Sequence, residues 1–133
     1  MPVKHVRLSQ DARNQLITLK RRTRIMQWNV LCRRGFRRSL AQASRPPAAR
    51  IPAHGNVEMT WRTFGGHWAD EPRALLRMRC PADGVPLDEE TLATQFRLHL
   101  HCGIGYLAGD GRGTGIAGLA SVALDGRPGS WQP

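Results

Sequence analysis

The chain has 133 residues, 41% of them hydrophobic, and a formal net charge of +10. That length suits one domain with a packed core, and no apolar run approaches the roughly 18 residues of a membrane span. The charge is local: residues 1–50 hold thirteen Lys and Arg against Asp11 alone, a local +12, while the remainder holds seven basic and nine acidic groups. A basic segment joined to a near-neutral body suggests a surface built to meet a polyanion, and nucleic acid fits better than a membrane surface. No apolar stretch near the N-terminus suits export, so no signal peptide is expected. Cys32, Cys80 and Cys102 lack framework spacing and read as free thiols in a reducing cytoplasm.

Val3 to Leu8 alternates, with Val6 and Leu8 on one face and His5 and Arg7 on the other, and predicts a short strand. Ser9 is a helix N-cap and Asp11 suits the first turn. Ala12, Leu16 and Leu19 carry an apolar stripe to about Arg22, with Lys20, Arg21 and Arg22 in the last turn. Thr23 to Met26 is a turn. A second helix is predicted from about Gln27 to Ala43, with Trp28, Leu31, Cys32, Phe36 and Leu40 as its apolar face. Arg33, Arg34, Arg37 and Arg38 largely face away from it. Gly35 lies on the apolar side, where it permits close approach of another helix and suggests self-association.

Ser44 to Pro52 is a Pro-containing loop. Val57 to Trp61 predicts a short strand, and Thr63 to Gly66 turns away from it. Asp70 caps a short helix with Pro72 in its first turn and Ala74, Leu75, Leu76 and Met78 as core. Asp88 caps a clearer helix whose inner face is Leu92, Phe96 and Leu100, stopping at Gly103. Residues after about Arg112 are expected to be poorly ordered or held by a partner. The expected organisation is one basic helical DNA-binding domain over 1–112 and a Gly-rich flexible tail over 113–133.

Strand, helix, turn, helix in the first 43 residues is the order of a ribbon-helix-helix module, in which two chains pair their strands and the ribbon enters the major groove. His5 and Arg7 are then the outward groups, and Arg pairs guanine through two hydrogen bonds. A generic helical hairpin with basic solvent faces is the other reading. Arg33/Arg37 and Arg34/Arg38 are like-charged i, i+4 pairs that cost a few tenths of a kcal/mol each in an isolated helix. No acid in these helices beyond Asp11 offsets them, which favours phosphate contact for this set and for Lys20, Arg21, Arg22 and Arg24. Gly113 to Gly118 matches G-x-G-x-x-G, but no βαβ context surrounds it, so a tail outweighs a nucleotide site. His99 and His101 are two apart on a helix and cannot chelate together. His54, His67, Cys32 and Cys80 complete no metal site, no cofactor is implied, and no nucleophile–base–orienter set is evident. Trp28, Trp61, Trp68 and Trp131 are candidates for base stacking. Trp28 lies on an apolar stripe and reads as core; Trp61 and Phe64 stay undecided.

Four segments carry a resemblance: Leu19-Lys20-Arg21-Arg22-Thr23; Trp28-Asn29-Val30-Leu31-Cys32-Arg33; Asn56 to Gly66; and Phe96 to Leu107. Over roughly residues 6–108 the chain resembles the DndE family, the small basic component of bacterial DNA phosphorothioation. The resemblance implies a part in replacing a non-bridging phosphate oxygen of DNA by sulfur. It implies partners: a cysteine desulfurase, an iron–sulfur protein related to ATP-pyrophosphatases, and an ATPase component. It also implies a homotetramer that binds nicked duplex DNA through basic residues, with Lys20 first and Arg21 and Arg22 beside it. Arg24 stands where the family tends to have Gly, Met26-Gln27 where Thr-Pro is common, and Cys102 where a basic residue follows the histidine.

The expected fold is therefore mainly α, with a ribbon-helix-helix-like N-terminal half, additional C-terminal helices and minor short strands. The expected function is that of a non-enzymatic, cytoplasmic DNA-binding accessory subunit of phosphorothioation. Its expected contacts are Arg7, Lys20, Arg21, Arg22, Arg24, Arg33, Arg34, Arg37 and Arg38. A ribbon-helix-helix transcriptional regulator or antitoxin is the alternative, and a DNA nickase a further one.

Overall fold

The computed structural model describes residues 4–52 and 57–110, so the Gly-rich tail and the G-x-G-x-x-G match lie outside the described residues. Strand β1 (His5–Arg7) leads into helix α1 (Gln10–Thr23), and α2 (Trp28–Leu40) follows. Strand β2 (Glu58–Thr60) precedes a short helix α3 (Trp61–Gly65) and a 3-10 turn (Gly66–Trp68). Helices α4 (Glu71–Ala82) and α5 (Glu89–Asp110) complete the chain.

The order strand–helix–turn–helix is present, and β1 finds a strand partner within the chain. It pairs antiparallel with β2 of the same chain, placing His5 opposite Thr60 and Arg7 opposite Glu58. The backbone pairing extends at both ends, from Trp61 N–H to Lys4 C=O and from Leu8 N–H to Val57 C=O.

Helix α1 starts where expected, because Ser9 Oγ accepts the Ala12 N–H. It ends at Arg24, whose φ of 60° is left-handed and whose N–H bonds Lys20 C=O. Thr63 to Gly66, expected to turn away, is instead mostly helix. Thr60 Oγ1 accepts the Thr63 N–H and so nucleates α3 directly from β2. In α4, Pro72, Leu76 and Cys80 are buried at i, i+4 and i+8. That register turns Met78 outward to 77% exposure and exposes Ala74, against their expected place in the core.

The largest correction concerns α5. Gly103 does not stop it; the helix continues to Asp110. A Cβ on Gly103 would lie 1.6 Å from Gly35 O, so here the backbones of α2 and α5 touch. The close approach foreseen at Gly35 is thus met by α5 of the same chain, and Gly35 gives no argument for self-association. Around this crossing sit Phe36, Phe64 and Phe96, all buried, with ring centroids 5.1 to 6.4 Å apart. Each such side chain contributes about 1.5–3 kcal/mol relative to exposure. Trp61 packs on Phe96 at 5.0 Å and on Phe64 at 5.5 Å, which assigns both undecided aromatics to the core.

Polar groups hold the helix ends to this core. Arg79 donates to the carbonyls of Leu40 and Ser44, both at 2.9 Å, and to Asp83 Oδ2 at 2.9 Å. It thereby satisfies carbonyls left open at the end of α2. His101 donates from Nδ1 to Arg97 C=O and accepts the Ser9 N–H at Nε2, tying α5 to the start of α1. His99 is fully buried and lies 2.7 Å from Ser39 Oγ through Nδ1. Burial, with the Arg79 charge as a smaller cause, pulls its pKa down to about 4.

Candidate nucleic-acid interface

The sequence supplies two basic sets, and the fold treats them differently. The second set, on α2, is largely occupied. Arg33 donates to Phe64 C=O at 2.8 Å. Arg37 donates from Nε to Glu71 Oε1 at 2.8 Å. Arg38 donates to Gln42 Oε1 and lies 4.9 Å over the Tyr106 ring. Repulsion along α2 is therefore offset by groups from α3, α4 and α5 that are distant in sequence. Arg34 is exposed and makes no hydrogen bond or ion pair among the described residues.

The first set sits at the turn between α1 and α2. Lys20, in the last turn of α1, holds its Nζ 4.7 Å from the Trp28 ring centroid. Arg22 reaches across to Ala108 C=O at 2.7 Å, near the end of α5. Arg21 and Arg24 are exposed and make no side-chain hydrogen bond or ion pair among the described residues. Arg24 is fixed at this place by its left-handed backbone, which turns the chain from α1 into α2. A non-glycine residue in that conformation costs about 1 kcal/mol or more.

Four acidic residues pair with cations away from this turn. Glu58 pairs with His5 and Arg7, each at 3.2 Å; Glu71 with Arg37; Asp83 with Arg79; and Glu89 with Arg73 and Arg77. Among the described residues no carboxylate pairs with Lys20, Arg21, Arg22 or Arg24. Arg7 does lie on the outward, exposed face of β1 as expected, and there it shares the Glu58 carboxylate with His5.

Arg13 was legible as a charge but not as part of the cluster. Arg13 and Lys20 are spaced i and i+7 on one face of α1, just before the turn at Arg24. Arg13 and Trp28 line an open groove of about 490 Å³ with Asn29, Glu58, Met59 and Thr63. Asn29 Nδ2 donates to Thr63 C=O at 3.2 Å and fixes the start of α2 against α3. Among the described residues no three of His, Cys, Asp and Glu converge as metal ligands, and no helix is long and apolar enough to cross a membrane.

Fold and charge together define a small, mainly helical protein with a two-stranded ribbon and a cationic helix–turn–helix edge. A family model for the DNA sulphur modification protein DndE matches residues 5–112. The chain belongs to the DndE family. It is similar to the crystal structure of DndE from Escherichia coli B7A, involved in DNA phosphorothioation modification. There the TM-score is 0.66 at 26% identity, over 80% of this chain and 98% of that one. It is also similar in fold to a glycine-to-lysine double mutant of DndE involved in DNA phosphorothioation. That match has a TM-score of 0.63 at 23% identity, over 82% of this chain and 99% of that one. No curated protein sequence matches it.

Proposed function

We propose that this chain is a cytoplasmic DNA-binding subunit of a DNA phosphorothioation machinery, grasping the sugar–phosphate backbone while other components supply the sulfur chemistry. The observation that carries this reading is the cation set at the α1–α2 turn: among the described residues Lys20, Arg21 and Arg24 pair with no carboxylate, while Glu58, Glu71, Asp83 and Glu89 are each held by cations elsewhere. Phosphate supplies the missing counter-charge, and release of condensed cations from DNA drives binding. Arg22 joins this set at its edge, and Arg34 adds a separate contact on α2. Base reading through Arg7 is disfavoured by its contact with Glu58, which argues against an operator-specific regulator. In this reading the partners are DNA, a cysteine desulfurase, an iron–sulfur ATP-pyrophosphatase-like protein and an ATPase. The chain works as a homotetramer and carries no catalytic residue of its own.

The test is binding to unrelated duplexes, intact and nicked, across salt. Changing Lys20, Arg21 and Arg24 together to Ala should weaken binding to every sequence and lower the salt slope by about one unit per lost phosphate contact. An unchanged slope would move the interface elsewhere. Strand scission by the native chain that is lost on a point substitution would overturn the non-enzymatic role.

A further inference from the structure

We infer that the groove beside Trp28 receives one unstacked nucleobase of the DNA held by the α1–α2 turn. This rests on the DNA-binding reading above and specifies the substrate: a strand with a base free to leave the stack. The groove volume of about 490 Å³ falls within the range of about 300–1,000 Å³ found for sites that hold small ligands. Its walls suit a base. Trp28 offers an aromatic surface, Met59 an apolar and polarisable one. Asn29 spends its amide N–H on Thr63 C=O, and its Oδ1 remains an acceptor for an exocyclic amine. The Arg13 side chain makes no hydrogen bond or ion pair among the described residues and is a donor for a ring nitrogen or carbonyl oxygen.

Charge complementarity selects a nucleotide over a neutral ligand. Lys20, which does not itself line the groove, holds its ammonium 4.7 Å from the Trp28 ring centroid and so places a cation beside that residue for the phosphate of an extruded nucleotide. The acid at the rim, Glu58, is held by His5 and Arg7 and does not present a bare negative charge. Extruding a base costs a few kcal/mol in a paired duplex and least where the base is unpaired. The groove therefore favours DNA that already carries an unpaired nucleotide.

The experiment uses the full chain and two duplexes of the same length, one fully paired and one with a single unpaired 2-aminopurine. Native protein should bind the second duplex about tenfold more tightly, and 2-aminopurine fluorescence should fall as the base stacks on Trp28. Trp28→Leu keeps apolar packing but loses the aromatic surface. It should abolish both the preference and the quenching while leaving the salt slope unchanged, and Trp28→Phe should restore them. Arg13→Ala lies off the core and should reduce the preference without altering the melting temperature. Equal binding of the two duplexes by native protein, or an undiminished fluorescence response in W28L, overturns the groove as a base site. Failure of native protein to bind either duplex in a salt-dependent way instead overturns the DNA-binding reading itself.

Discussion

At Arg24 two demands conflict. The left-handed backbone there is where glycine costs least, yet the residue is arginine. Substitution by Gly should stabilise the fold by about 1 kcal/mol, since the strained conformation becomes freely accessible. The same change should lower the DNA salt slope by about one unit, because a solvent-facing cation is lost. Chemical denaturation and salt-dependent binding of R24G measure the two effects, and a chain that gained both stability and affinity would contradict the assignment. The α2 arginines give a matched contrast. Arg34→Ala should reduce the slope by about one unit. Arg37→Ala should not, because its guanidinium is committed to Glu71; a fall in slope for R37A would show that this pair opens on DNA. The sequence displayed all four α2 arginines as equivalent. What separated them was Phe64 C=O, Glu71 and Tyr106, which come from segments that periodicity within α2 does not reach.

Among elements, the α2–α5 crossing decides the architecture, and its glycines show why part of it was hidden. Gly35 on an apolar stripe is legible as a point of close approach, because a glycine mid-helix is costly without a reason. Gly103 followed by Gly105 reads as a helix stop from local propensity, yet tertiary contact overrides it. Without side chains there, α5 can lie against the α2 backbone, and the helix continues to Asp110. Gly103→Ala should therefore destabilise by about 3 kcal/mol or more, since the new Cβ meets backbone rather than a movable side chain. Gly109→Ala meets nothing within 4 Å and should be neutral or stabilising by up to about 1 kcal/mol. Urea midpoints of the two variants check this, and similar midpoints would mean that the crossing relaxes. By contrast, α1 was readable almost residue by residue, because its cap, its stripe and its basic last turn are local features. Met78 was misplaced because four apolar residues in a short segment fit more than one register. Pro72, Leu76 and Cys80 decide the one adopted.

At the scale of the whole molecule, the described residues set a body in which Glu58, Glu71, Asp83 and Glu89 are held by cations apart from a cationic edge at the α1–α2 turn, and pH acts on the body. His99 joins α5 to Ser39 of α2 and feels the Arg79 charge of α4, so three helices meet at an imidazole that is held neutral. Its folded pKa of about 4 lies below the ordinary value of 6.5. Above pH 6.5 neither folded nor unfolded chain protonates it, and the full stability is present. As pH falls from 6.5 to about 4 the unfolded chain binds a proton that the folded chain refuses, so stability is lost. The loss should reach about 2–3 kcal/mol near pH 4. His101 acts in the same direction: burial lowers its pKa, and protonated Nε2 could no longer accept the Ser9 N–H. Melting curves at pH 7.5 and 4.5 should show a marked fall for the native chain and a shallower one for His99→Gln, whatever its starting stability. DNA should oppose the fall only at low salt, because the phosphate contacts of the α1–α2 turn are screened as salt rises. Parallel pH dependences in native and H99Q chains would remove His99 as the acid-sensitive group and leave His101, at the contact between α5 and the start of α1, as the remaining candidate among these two.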